Sequence, residues 1–243
     1  MRQDVLELRR FYASPLGREV ARLIGRKVTE AWGDVSGLDV LGLGYATPLL
    51  AEAGQRRRIA AMPAAQGVEV WPLDGAALSC LVDDHALPFP NALFDRVVAV
   101  HALEESEDPG ELLREVGRVL APTGRLIIAA TARHGLWADS EATPFGQGRP
   151  FSRAQLERLL IEAELQPQGW TRALYAPPLE NAHRWAGAFE RLGARFWPPF
   201  AGLILVEATK HTFAVIPRAV RQRVRATPVF QPAAIARDAG LAA

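Results

Sequence analysis

The residues best suited to chemistry in this chain are two histidines, His101 and His134, and a glycine-spaced turn, Gly42-Leu43-Gly44-Tyr45, that breaks out of a short apolar run. Histidine titrates near neutrality, so either ring could take a proton from a substrate hydroxyl or a carbon acid. His101 directly follows an apolar run and is the first choice as base. A histidine hydrogen-bonded at a strand end is the other reading of that position. His134 comes second. In the turn, glycine lets the backbone approach a ligand, and a helix opening after it would present free N–H groups. Strand, turn and helix would then form a cofactor cradle, although tight strand-to-helix turns also occur without ligands. The five histidines lack metal-ligand spacing, and the single cysteine, Cys80, rules out an intramolecular disulfide and any cysteine-rich metal site. No metal is expected, and Cys80 reads as a small buried hydrophobe.

These groups need a frame, and the apolar patterning predicts one. Residues 3–32 read as amphipathic helix, with a break at Ser14-Pro15. Val40 and Leu41 end a buried parallel strand, and residues 47–53 read as a helix closed by Gly54. Further strands are expected at 58–62, 78–82, 94–100, 125–130, 168–174 and 203–209. Asp108-Pro109-Gly110-Glu111 opens one helix with a cap, a first-turn proline and an acid three residues on. A Ser152-x-x-Gln155 box opens another, and residues 182–192 read as a third. Strands alternating with helices predict a doubly wound α/β sheet.

The expected organisation is one domain: a helical cap (1–36), an α/β core (37–210) and a basic, irregular tail (211–243). That tail has no acid between Glu207 and Asp238 but carries Arg218, Arg221, Arg223, Arg225 and Arg237. It reads as solvated chain or as an electrostatic dock for an acidic partner. A formal charge of +1 gives no global reason to expect nucleic acid or a membrane. No apolar run approaches the roughly 18 residues of a membrane span, and the charged N-terminus is no secretory signal. A cytoplasmic location is the expectation.

The order of parts then acquires a resemblance. After the glycine turn come Val82-Asp83-Asp84-His85-Ala86-Leu87-Pro88-Phe89, then Phe94-Asp95-Arg96-Val97-Val98 and His101-Ala102-Leu103-Glu104, then Arg118-Val119-Leu120-Ala121-Pro122-Thr123-Gly124-Arg125. Over about residues 37–130 this resembles the class I (seven-stranded, Rossmann-like) S-adenosylmethionine-dependent methyltransferases, particularly the small-molecule branch. The resemblance implies a mostly parallel seven-stranded sheet with an antiparallel last strand, and S-adenosylmethionine at the carboxyl ends of the first strands. It places Gly42 and Gly44, with Tyr45, in the loop beneath the methionine portion. It gives Asp83, with Asp84 beside it, the position that binds the adenine amino group, and it sets His101 at the methyl-transfer site.

The chain departs from that pattern at three points. Val40 stands where the family has an acid, with Asp39 displaced by one; Ala46 replaces the third glycine; and Pro63 stands near the end of the second strand, where a carboxylate would hold the ribose hydroxyls. Glu69, Asp74 or a carbonyl near Met62 are the available substitutes. Two functions of different classes follow. One is a methyltransferase acting on a small-molecule acceptor. The other is a catalytically silent protein of the same fold that binds a protein partner or another ligand. Residues 134–151 read as a substrate lid or an ordered loop packed by its aromatics, and the Phe196–Phe200 cluster as core or an exposed docking patch.

Overall fold

The computed structural model describes residues 3–50, 54–179 and 184–210. Two helices come first, α1 (Val5–Ala13) and α2 (Pro15–Trp32). Asp4 caps α1 by accepting from the Leu6 N–H; Ser14 caps α2 by accepting from Gly17, with Pro15 in the first turn. The predicted break at Ser14-Pro15 is therefore the junction of two separately capped helices.

Seven strands follow: β1 (Asp39–Gly44), β2 (Arg57–Pro63), β3 (Ser79–Val82), β4 (Phe94–Val100), β5 (Leu120–Thr131), β6 (Leu165–Ala173) and β7 (Leu203–Lys210). They form one sheet in the order β3-β2-β1-β4-β5-β7-β6. β1, β2, β3, β4 and β5 pair in parallel, and β7 runs antiparallel to both β5 and β6. This is the doubly wound arrangement expected from the sequence, including the reversed last strand. The expected strand over 58–62 is one residue longer at each end, and that over 168–174 begins three residues earlier, because both are fixed by pairing with their neighbours rather than by local composition.

Alternate residues of the central strands divide the core. Val40, Val98, Ile127 and Leu205 face α1 and α2, which contribute Leu8, Val20, Leu23, Ile24 and Val28. Leu41, Val97, Leu126 and Val206 face the opposite side, covered by α3 (Pro109–Val119) and α4 (Arg153–Glu162). Both predicted caps form: Asp108 accepts from the N–H groups of Gly110 and Glu111, and Ser152 and Gln155 bond reciprocally. The last helix, α5 (Ala186–Phe196), starts later than the expected 182 and runs on to Phe196; residues 182 and 183 lie outside the described residues, as does the basic tail, 211–243. Cys80 is half-buried rather than enclosed, because β3 is an edge strand.

The helix expected at 47–53 is a correction. Only a 3-10 turn forms, Thr47–Leu49, with Pro48 in it; 51–53 lie outside the described residues. The chain leaves Gly44 and is back in β2 at Arg57, and the sheet face above is already covered by α2, against which Leu49 packs. A face covered once leaves no apolar demand for a second helix. At the foot of this connection Asp39 is buried and receives Arg56 through both Nε (2.9 Å) and Nη2 (2.5 Å). It is thus a structural anchor at the opposite end of β1 from the glycine turn.

Because α2 is the cover of this face, deleting part of its buried stripe should be costly. Ile24→Ala is expected to lower stability by about 2–5 kcal/mol, the range for a truncated core side chain, measured by urea denaturation. A loss below about 1 kcal/mol would mean that α2 is only loosely seated.

Candidate cofactor and substrate site

The carboxyl ends of β1, β2 and β4 meet at the glycine turn. Gly44 has φ +76°, and a Cβ there would lie 2.2 Å from the Val100 carbonyl oxygen. The turn is drawn against the end of β4, where the Tyr45 N–H donates to that same oxygen at 2.9 Å. At Gly42 a Cβ would meet Leu50 Cδ1 at 2.7 Å and the Ala46 methyl at 2.8 Å. Both glycines are therefore required by the close approach of the chain to itself, and Ala46 fills part of the space beside Gly42.

Above the turn lies an aromatic layer. Tyr45 is buried and stacks on Tyr12 of α1 with centroids 5.3 Å apart. The Tyr12 hydroxyl is 2.9 Å from His101 Nε2. On the other side of His101 lies Phe145, centroids 4.5 Å apart, which in turn packs on Trp137 and on Phe11 of α1. The segment 134–151 is thus held by its own aromatics, with the Trp137 indole donating to the Ala176 carbonyl at 2.8 Å. In this conformation α1 and that segment close over the carboxyl edge.

His101 stands at φ +53°, an uncommon backbone conformation for a side-chain-bearing residue. Burial pushes its pKa down to about 3. The ring is neutral across the working pH range, and a nitrogen already bonded to Tyr12 is a weak base. Burial likewise pushes the Tyr12 hydroxyl far above its ordinary range, so the pair is a neutral hydrogen bond. His134 is exposed on the turn after β5, separate from this buried layer.

Asp83 is exposed, and its carboxylate accepts from the His85 N–H at 2.8 Å, closing a local turn; Asp84 beside it is half-buried. Both sit at the end of β3, two strands from β1. Pro63 ends β2 and is buried, paired with Val82. Three residues on, Gln66 donates through Nε2 to the His101 carbonyl at 3.2 Å, and its Oε1 is buried with no hydrogen-bond partner. Gln3 repeats this, donating to the Pro144 carbonyl at 2.8 Å with its Oε1 unpartnered. The Glu69 carboxylate reaches back to the turn, 3.5 Å from Thr47 Oγ1 and 4.0 Å from Arg9 Nε. Asp74 is exposed.

Glu104 is the titratable group that sequence reasoning passed over, although it lies within the motif His101-Ala102-Leu103-Glu104. It is buried between the ends of β4 and β5 and accepts from the Thr131 N–H at 2.8 Å and hydroxyl at 3.3 Å. Burial pushes its carboxyl up to about 7, outweighing the bonds from Thr131. A carboxyl poised near neutrality can take or give a proton. The only signal for it in the sequence was an acid four residues beyond a strand end. Tyr12 was hidden on the apolar face of the first helix.

Residues 33–128 match a family described as a methyltransferase domain. Over 92 residues the chain is 37% identical to a demethylmenaquinone methyltransferase of Thermus thermophilus, a stretch covering 38% of this chain and 36% of that protein. It is 31% identical over 111 residues to an uncharacterized protein of Mycobacterium tuberculosis, covering 40% and 39%. The chain thus spans less than two-fifths of the length of these curated relatives. Among solved structures, an S-adenosylmethionine-dependent methyltransferase of Thermotoga maritima, described as a possible histamine N-methyltransferase, superimposes with a TM-score of 0.56 at 17% identity, covering 85% of this chain and 95% of that one. The [4+2]-cyclase SpnF superimposes with the same score at 20% identity, covering 80% and 82%. The fold is that of the class I methyltransferases, and a cyclase shares it.

The Glu104 shift gives a stability test. Its folded pKa of about 7 lies above the ordinary 4.5, so the folded protein holds this proton more tightly than the unfolded chain. The stability this carries is full below pH 4.5 and is lost as pH rises through 7. His101 works in the opposite sense, its contribution being lost as pH falls from 6.5 toward 3, but it is common to wild type and variant. Glu104→Gln is therefore expected to gain on wild type by on the order of 2–3 kcal/mol between acid and mildly alkaline pH, read from urea denaturation at a series of pH values. Parallel curves would place the Glu104 titration outside this range.

Proposed function

We propose that this chain is an S-adenosylmethionine-dependent methyltransferase acting on a small-molecule acceptor at the carboxyl edge of β1, β2 and β4. The observation that carries the proposal is the orphaned Gln66 Oε1, buried beside the glycine turn of a segment that matches a methyltransferase domain. A buried acceptor without a donor is costly, and the ribose hydroxyls of the cofactor are donors of the right kind. Gln66, with Glu69 beside Thr47, takes over the role that Pro63 cannot perform. The turn from Gly42 to Ala46 lies beneath. Asp83 and Asp84, at the end of β3, are the acids available to the adenine amino group. When bound, the cofactor supplies an electrophilic methyl group on a sulfonium.

The remaining chemistry belongs to the chain. Glu104, poised near neutrality, removes the proton that the acceptor loses as it gains the methyl group. His101, neutral and bonded to Tyr12, shapes and dries the site. His134, exposed on the turn after β5, is free to meet an acceptor arriving from solvent. The edge is closed in this conformation, so binding requires α1, with Phe11 and Tyr12, to move away from Tyr45 and Phe145. The name of the Thermus relative makes a quinone-class aromatic the first acceptor to assay. The same closure, with Pro63 at an acid position, also favours a second reading: a protein of this fold that does not catalyse and binds a protein partner or another ligand.

Calorimetric titration with S-adenosylmethionine separates the two. Wild type is expected to bind at roughly tens of micromolar, since a neutral amide replaces a charged acceptor, and Gln66→Ala should weaken binding by about tenfold. With an acceptor in hand, Glu104→Gln should lower turnover by about 100-fold while leaving cofactor affinity within a few-fold. No binding by folded wild type would overturn the methyltransferase proposal and leave the non-catalytic one.

A further inference from the structure

The helix α5 presents an apolar stripe that the proposed chemistry does not use. Trp185, Phe189, Leu192 and Phe196 recur at i, i+4, i+7 and i+11, one face of a helix, and are 67%, 38%, 52% and 60% exposed. Trp197 and Phe200 continue it at 57% and 51%. The cluster that sequence left open as core or docking patch is therefore on the surface. Scattered exposed apolar residues need no explanation, but a contiguous stripe with two tryptophans does.

The orientation of α5 is fixed from its other side. The Glu190 carboxylate is buried and accepts from the Tyr175 N–H at 2.8 Å. Gly193 packs so closely on Tyr175 that a Cβ would meet its ring at 2.4 Å. With that face pinned, the aromatic stripe must point outward. Beside it stand Arg184, Arg191 and Arg195, all exposed, with no carboxylate partner among the described residues. The Arg195 guanidinium lies over Phe196, 5.7 Å from the ring centroid.

We propose that α5 and the turn after it dock on the surface of a bilayer containing anionic lipid, with the aromatic rings entering the acyl boundary and the arginines meeting headgroup phosphates. Tryptophan and phenylalanine on one face with arginine alongside is the composition of an in-plane interfacial helix. The charge selects this occupant over a second copy: the only acid of α5, Glu190, is buried, so an identical face offers the three arginines no opposite charge, whereas headgroup phosphates do. The contact is in the plane of the membrane: among the described residues no helix is long and apolar enough to cross it. The expectation of no membrane partner rested on the overall charge of +1 and on the lack of a spanning run, and neither measures a local patch.

The test is flotation of the full chain with vesicles of phosphatidylglycerol and phosphatidylcholine, and with vesicles of phosphatidylcholine alone. Wild type should float with the mixed vesicles, about tenfold or more above neutral ones, with its tryptophan emission shifted to the blue. The double variant Phe196→Ser and Phe200→Ser, at positions 60% and 51% exposed and so expected to keep its melting temperature, should lose about tenfold in vesicle binding and most of the shift. Arg191→Gln with Arg195→Gln should lose the preference for anionic vesicles. Failure of folded wild type to float overturns the proposal. So does undiminished flotation of the aromatic variant, which would assign binding to another part of the chain. A dimer seen by sedimentation in wild type and abolished in the aromatic variant would give this face to a second copy and overturn it equally.

Discussion

The arrangement of the site depends on one close approach, that of the turn after β1 to the end of β4. Gly44 sits so near the Val100 carbonyl that no side chain fits, and the Tyr45 N–H is bonded to that oxygen. This fixes Tyr45 beneath Tyr12, and Tyr12 reaches His101 immediately beyond Val100. The uncommon backbone angle of His101 follows from the same geometry: the chain turns sharply as it leaves β4 and points the ring back over the turn. Replace the glycine and the aromatic layer loses its floor.

The second dependence is on α1 and α2. Among its described residues the crossover from β1 to β2 holds only a short 3-10 turn, and the face over β1 and β4 is covered from the N-terminal side of the chain. The same pair of helices therefore serves stability and access at once. α2 carries the large buried stripe and has no reason to leave. α1 is shorter, touches the site through Phe11 and Tyr12, and is tied down by Val5 N–H to Gln66 O and by Gln3 to Pro144. With Val5, Leu8 and Tyr12 buried, against seven buried residues in α2, α1 is the less firmly seated of the two and the one that can move.

Much of the fold was legible because its signals are local. Alternation and apolar runs gave the strands, Asp108 and Ser152 marked helix starts by capping chemistry that needs only a few residues, and Ser14-Pro15 marked a break. The helix expected at 47–53 failed for a non-local reason: α2 had already covered that face. The site was legible only at its floor. Gly42 and Gly44 stand out by type, and their spacing is a backbone requirement. What lies above them comes from distant segments, Tyr12 from the first helix, Phe145 from the loop after β5 and Gln66 from the connection after β2. No spacing rule joins these. His101 was visible as a residue, but its neutrality is a property of burial, and so is the near-neutral carboxyl of Glu104.

The closed edge also carries a tension that bears on its use. Gln66 Oε1 and Gln3 Oε1 are buried without donors, and Glu104 is held in a setting that resists its charge. Each unpaired acceptor costs about 1–3 kcal/mol, a large fraction of a domain's net stability. Packing of Tyr12, Tyr45, His101 and Phe145 offsets this, which keeps the edge shut when nothing else is bound. A ligand with hydroxyl or ammonium donors would satisfy those oxygens and let the same side chains close around it instead. The aromatic layer and the unpaired amides then push in opposite directions, and the balance between them, rather than the glycine turn alone, sets how readily α1 yields. That balance is why an aromatic cap and an incomplete set of hydrogen bonds belong together at this edge: the first holds the site dry, and the second leaves it with a reason to open.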